Sequence, residues 1–184
     1  MKKCIIDIDG VLNYYPDTFI QFVNDSLGSD YINLNEIKVS LNYAKYHQLK
    51  HKYRESGIKQ DLEVRAGAKE FLSYLTKVGY YVIILSSRPV EVVNGLIIQT
   101  TKWLKKNGLE YDFLDFGYRK HINVIERFGE VEFVVDDNFE IAQSLTGCVN
   151  KVFLINNIYN NSYNNSKIIR INSFNEIIEK MEEM

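Results

Sequence analysis

The chain has 184 residues, 46% of them hydrophobic and 25% charged, which suits one domain with a small insertion. Its 22 basic and 24 acidic side chains leave a net charge of −2, so no overall field draws it to nucleic acid or to an anionic membrane. No apolar run is long enough to span a bilayer, and the first ends at Asp7, too early for a signal-peptide core, so a cytoplasmic protein is expected. Cys4 and Cys148 are isolated and read as small hydrophobes.

Residues 3–8 read as a buried strand that stops in Asp7-Ile8-Asp9-Gly10-Val11-Leu12. Strand geometry would turn Asp7 and Asp9 to the same side, and Gly10 lets the backbone bend sharply toward a ligand. Residues 14–66 contain no convincing strand. They read as helices over 17–27, 33–39 and 41–56, an insertion placed as a lid over the end of the first strand. A helix is expected over 68–78, with Phe71, Leu72, Leu75 and Val78 on one face and Gly79 as terminator. The apolar run 80–86 is a second strand and ends in Ser86-Ser87-Arg88-Pro89. A helix over 90–107 follows, then a short strand at 113–116 and a short helix over 121–128 that Lys120 opens. The strand 131–136 ends in Asp136-Asp137-Asn138; a helix over 139–145 and a strand over 151–155 come next. The Asn-rich run 156–165 reads as a surface loop, and 173–184 as a helix whose capping box pairs Ser173 with Glu176.

Near-continuous apolar strands imply burial on both faces, hence a parallel sheet covered by helices. The expected architecture is a doubly wound, Rossmann-like α/β fold of about five strands. Residues 1–13 and 67–184 form the core and 14–66 a helical cap.

In such a sheet the C-terminal strand ends share one crevice. There the chain places Asp7 and Asp9, Ser86, Ser87 and Arg88, and Asp136 and Asp137, with Lys120 nearby. Each has an ordinary structural explanation as a turn, a cap or a solvated charge. Their joint occurrence does not. Two acids two residues apart can bind a hard cation, or divide covalent and acid/base work. There is no GxxxxGK[ST] loop and no GxGxxG after a strand.

This set, in this order, resembles the four motifs of the haloacid dehalogenase superfamily of phosphohydrolases. Asp7-x-Asp9-Gly10-Val11 matches the first motif, Ser86 the second, Lys120 the third and Asp136-Asp137 the fourth. The insertion corresponds to the family's small helical cap. The resemblance implies that Asp7 is the nucleophile, forming an aspartyl-phosphate. It implies Mg2+ held by the Asp7 and Asp137 side chains and the Asp9 backbone carbonyl, with Asp136 binding directly or through water. Asp9 would act as acid and base, which asks for a raised pKa. Ser86, the Ser87 N–H and the close backbone at Gly10 would surround the phosphoryl oxygens, and Lys120 would neutralise Asp7 and the phosphoryl group. An acid at Asp9 favours phosphate-ester hydrolysis over dehalogenation. A narrower likeness is to 5'(3')-deoxyribonucleotidases. It rests on Thr101-Lys102-Trp103-Leu104, and on Tyr159-Asn160 with Arg170 and Glu176-Ile177.

The resemblance therefore points to a Mg2+-dependent phosphomonoesterase acting on a small phosphorylated metabolite, a (deoxy)nucleoside monophosphate being the leading candidate. A sugar phosphate stays open. A polynucleotide end fits less well, because no basic groove is visible and no stable nucleic acid complex is expected. An idle binding module on the same fold would be free to lose motifs that this chain keeps. Tyr14, Tyr15, Arg88 and Tyr46 are candidate substrate contacts; Arg88 could equally pair with a core acid, and the tyrosines of the basic third cap helix, Tyr46 among them, more simply pack the cap onto the core. His47 and His51 read as surface side chains. Oligomeric state has no signature in the sequence.

Overall fold

A computed structural model describes residues 1–117 and 124–182, the Ile125 side chain excepted. Six parallel strands form one sheet: β1 (Lys3–Ile6), β2 (Tyr81–Ser86), β3 (Phe113–Phe116), β4 (Phe133–Asp136), β5 (Lys151–Ile155) and β6 (Ile168–Ile171), in the order β3-β2-β1-β4-β5-β6. The doubly wound α/β fold is as expected; the sixth strand was not foreseen.

Alternate strand residues feed two cores, as burial on both faces requires. Cys4, Ile6, Val82, Ile84, Phe133, Val135, Phe153 and Ile155 face one side. There they meet Phe71, Leu72 and Leu75 of α4 (Ala68–Lys77), Trp103 and Leu104 of α5 (Leu96–Lys106), and Phe174 and Ile177 of α7 (Phe174–Glu182). Ile5, Ile83, Leu85, Val134, Val152 and Leu154 face the other side, against Ala142 and Leu145 of α6 (Phe139–Leu145) and the π-type turn Val124–Phe128.

Helix α5 starts later than its apolar pattern suggests, because the Pro89 carbonyl takes the N–H groups of Val92 and Val93 in a separate turn. At α7, Glu176 accepts from the N–H of Asn172, one residue before the expected capping position.

Residues 14–66 carry α1 (Asp17–Leu27), α2 (Leu34–Ser40) and α3 (Tyr43–Glu55), with Asn33 and Asn42 as side-chain caps of the last two. They have a third apolar cluster of their own, where Phe19 meets Tyr53 and Tyr46 edge-on at 5.3 and 6.0 Å. The returning chain passes through a 3-10 turn, Ile58–Gln60, and rejoins the core where Val64 bridges to Asn13. This return is held on α5: the Trp103 indole donates to Leu62 O at 2.7 Å and Gln99 Nε2 to Arg54 O at 3.2 Å.

Candidate active site

Strand order reverses between β1 and β4, the point where a doubly wound sheet opens a crevice at its C-terminal edge. Ile6 pairs with Val135, and the Asp7 N–H continues the ladder to Val135 O at 3.0 Å. Asp7 and Asp136 therefore lie side by side at that edge. With Asp137 they form a buried group in which one carboxylate oxygen from each residue lies within 4.8 Å of the other two.

Asp9 belongs to a different cluster. Strand β1 stops at Ile6 and the chain turns at once, Ile8 O accepting from the N–H groups of Val11 and Leu12. Two cations and an amide fill the Asp9 carboxylate. Arg88 donates from Nε to Oδ2 at 3.0 Å and from Nη2 to Oδ1 at 2.7 Å. Lys59 Nζ lies 2.7 Å from Oδ2 and Asn13 Nδ2 3.1 Å from Oδ1. Burial pushes this carboxyl up, but the charges and hydrogen bonds of Arg88 and Lys59 outweigh burial and hold it well below the usual carboxylate range. This corrects the expectation of a raised pKa. That expectation assumed carboxylate neighbours; the structure supplies cations.

Both cations are buried. Arg88 gives its remaining arm to Thr100 Oγ1 at 2.7 Å, so it lies beneath Asp9 rather than lining a substrate cleft. Lys59 sits with its ammonium 5.6 Å from the Tyr15 ring centroid and 5.5 Å from that of Tyr53. Burial and the Arg88 charge push its pKa down to about 8, with Asp9 pulling the other way.

Asp137 is braced from the Asn-rich segment. The Tyr159 hydroxyl donates to its Oδ2, and Asn160 Nδ2 donates to its backbone carbonyl at 2.8 Å. Arg170 in turn donates to Asn160 Oδ1 at 2.8 Å. Burial, then the adjacent carboxylate, raises the Tyr159 hydroxyl far above its ordinary value. Gly10 packs against this pair at φ +88°, its N–H on Asn13 Oδ1 at 3.1 Å and its carbonyl on Arg65 Nη2 at 3.0 Å. Only glycine takes that conformation without strain.

Ser86 is buried at the end of β2, and its hydroxyl accepts from the Arg88 N–H at 3.3 Å. The Ser87 hydroxyl is buried with no hydrogen-bond partner among the described residues. Lys120 lies outside the described residues. Tyr14 and Tyr15 line a cleft of about 1020 Å³ between α1–α2 and the 156–161 segment, together with Arg65, Asn157, Tyr159 and Arg170. Tyr46 does not line it: its ring packs into the apolar cluster of the helical insertion. His51 pairs with Glu55 at 3.2 Å, and His47 stacks on Tyr43.

Sequence reasoning missed Lys59, Asn13 and Arg65. It had noted Tyr159, Asn160 and Arg170 as a loose pattern without a role. Nothing around Gly57-Ile58-Lys59-Gln60 marks that lysine as other than solvated.

No protein-family model and no curated protein sequence matches the chain. Solved structures do match it along its whole length. A Geobacter sulfurreducens HAD-superfamily hydrolase of subfamily IA is 16% identical, with 98% of this chain and 99% of that one covered and a TM-score of 0.64. A Thermotoga maritima protein assigned as a beta-phosphoglucomutase is 15% identical, with both chains covered completely and a TM-score of 0.67. The D,D-heptose 1,7-bisphosphate phosphatase of B. bronchiseptica, solved with magnesium and phosphate, is 12% identical, with coverage of 100% and 99% and a TM-score of 0.59. The chain therefore has the haloacid dehalogenase-like fold.

Proposed function

We propose that this chain is a Mg2+-dependent phosphomonoester hydrolase, with residues 14–66 acting as a cap over a core made of 1–13 and 67–184. The observation that carries the reading is the division of acids at the switch point. Asp7, Asp136 and Asp137 crowd into one buried group, while Asp9, two residues from Asp7, is held apart by its own cations.

One oxygen from each of three buried carboxylates lies within 4.8 Å of the others, a set that suits a hard cation with oxygen ligands. Oxygens around a Mg2+ at ~2.1 Å lie at most about 4.2 Å apart, so small adjustments bring this set into range. Asp7, Asp136 and Asp137 would hold the ion, which when bound offsets the repulsion between carboxylate and phosphate dianion. The Asp7 carboxylate attacks phosphorus, forming an aspartyl-phosphate as the bond to the ester oxygen breaks. The ester oxygen leaves with a proton that Asp9 has first taken from the phosphate monoanion or from solvent, and Asp9 then takes another from the water that hydrolyses the aspartyl-phosphate. Its cation-held, ionised resting form is the base of this second half. The Ser87 hydroxyl beside Ser86, without a partner among the described residues, supports a phosphoryl site at the end of β2. Lys120 keeps the role that the sequence resemblance implies for it.

For the leaving group, the cleft favours a nucleoside. Tyr14 and Tyr15 offer ring faces, and Asn157 and Asn161 offer amides that read a base or sugar. A sugar phosphate is the second reading, favoured by the names of two fold neighbours, a phosphoglucomutase and a heptose bisphosphate phosphatase.

Phosphate release from an aryl phosphate, nucleoside monophosphates and sugar phosphates, with Mg2+ or chelator, tests both. The expected result is Mg2+-dependent release that Asp7→Asn abolishes, with nucleotides turned over best. Undiminished turnover by Asp7→Asn would sink the mechanism, and a panel led by sugar phosphates would sink the nucleotide reading.

A further inference from the structure

We propose that Lys59 is a phosphate-binding residue that rests on Asp9 until substrate arrives. The inference builds on the phosphomonoesterase reading and adds to it a cation from outside the four motifs.

An ionised carboxylate has about four acceptor positions. At Asp9 four donors fill them: Arg88 Nε, Arg88 Nη2, Lys59 Nζ and Asn13 Nδ2. A carboxylate so occupied has no lone pair left for a leaving-group proton or a water, so one donor must withdraw before it reacts. Arg88 is pinned from three sides, two arms on Asp9 and the third on Thr100, whose hydroxyl bonds back to Leu96 O at 2.6 Å. Asn13 is fully buried, and its Oδ1 takes the N–H groups of Gly10 and Tyr15; withdrawing it would undo the turn after β1. Lys59 makes one hydrogen bond, to Asp9, and among the described residues no other acceptor holds its ammonium. It stands on a four-carbon stem at the base of the helical insertion.

An ester oxygen exchanging a proton with Asp9 lies ~2.6–3.2 Å from the carboxylate. The Lys59 ammonium, 2.7 Å from Oδ2, is then within about 6 Å of that oxygen, in reach of the phosphoryl group by rotation of its stem. Asp9 keeps the Arg88 charge when Lys59 leaves, whereas an arriving dianion carries two charges, so the exchange is favourable. The ammonium keeps its three protons, one hydrogen bond passes from Asp9 Oδ2 to a phosphoryl oxygen, and Oδ2 is freed for proton transfer. In the resting state the same contact occupies Oδ2.

The test uses Lys59→Met, Lys59→Gln and Lys59→Arg in the full chain. Inorganic phosphate affinity is read by calorimetry in Mg2+, and KM and kcat are read on one aryl and one alkyl phosphate. Loss of one charge-assisted hydrogen bond should weaken phosphate about 10- to 100-fold and raise KM equally in the Met and Gln variants. Their kcat should fall by less than KM rises, and Lys59→Arg should recover most of the affinity. Unchanged phosphate affinity with a kcat loss beyond a hundredfold overturns the proposal, because Lys59 would then act through Asp9 alone. Failure of both neutral variants to fold also overturns it, assigning Lys59 to the structure of the insertion. Wild-type protein that binds phosphate but hydrolyses no ester would sink the function instead, while the calorimetric comparison still reads Lys59.

Discussion

Replacing Gly10 with alanine adds one carbon where the site has no room. Its Cβ would stand 2.1 Å from Asp137 Oδ2, 2.5 Å from Asp137 Cγ and 2.8 Å from the Tyr159 hydroxyl. Ordinary contact begins at 3.4 Å, so Asp137 Oδ2 must withdraw by about 1.3 Å. Metal sites tolerate errors of about 0.2 Å in ligand distance, and a 1 Å misplacement near the chemistry costs on the order of a hundredfold in rate. A second cost is conformational, because φ +88° disfavours any side chain by about 1–2 kcal/mol. Gly79 separates the two. It sits at φ +86° with nothing within 4 Å of its would-be Cβ, so Gly79→Ala carries the backbone cost alone. For a domain of this size that is a fall in Tm of roughly 2–8 °C.

The assay is thermal unfolding of both variants with chelator and with Mg2+, alongside turnover of an aryl phosphate. Gly79→Ala should lose a few degrees, keep the full Mg2+-induced rise in Tm, and hydrolyse normally. Gly10→Ala should lose at least as much stability, lose the Mg2+-induced rise, and drop at least about a hundredfold in turnover. A Gly10→Ala protein that still gains wild-type stability from Mg2+ would refute the reasoning, since Asp137 could not then be a metal ligand held in place by that glycine.

Three further outcomes follow from named contacts. Asn160→Ala removes donors to Asp137 O and Ile155 O and the acceptor for Arg170; urea unfolding should show a loss of about 2–4 kcal/mol, with turnover falling further than stability explains. Trp103→Phe strips the 2.7 Å bond from the Leu62 carbonyl at the base of the insertion and should cost about 1–3 kcal/mol by the same measurement. Asp9 titrates lower folded than unfolded, so its contribution to stability is complete above the ordinary carboxylate pKa near ~4 and drains away as pH falls through its depressed folded value. Asp9→Asn should therefore flatten the acid limb of a stability-against-pH curve, and an unchanged limb would show that Arg88 and Lys59 do not hold it ionised.

The parts of the fold legible in sequence are those where burial forces a local pattern. Strands β1, β2, β4 and β5 are apolar runs because both faces are covered, and their ends are polar because the chain there meets the crevice. Strand β6 escaped because Ile168-Ile169-Arg170-Ile171 is short and carries an arginine committed to Asn160. For Tyr46 the sequence offers both packing and substrate contact, because a tyrosine on a basic helix has one composition whether its ring packs inward or reaches a ligand, and its packing on Phe19 decides for the former. Contacts between distant parts of the chain leave no local trace. Lys59 is 50 residues from Asp9 and Arg88 is 79, so a motif read around Asp9 shows the carboxylate and neither cation.

That omission reversed one chemical inference, and the reversal separates the two acids of the first motif. Asp7 shares its space with two other carboxylates, an arrangement that could hold a divalent cation. Asp9 already has more positive charge around it than it can neutralise, so a cation added to the Asp7 group has little to gain from the Asp9 carboxylate. Two identical side chains two residues apart thus meet different surroundings, which is how one site can draw two proposed roles from the same residue type. The turn that starts after Ile6 is what makes this possible: on a continuing strand Asp9 would stand beside Asp7, and Arg88 and Lys59 would serve both or neither.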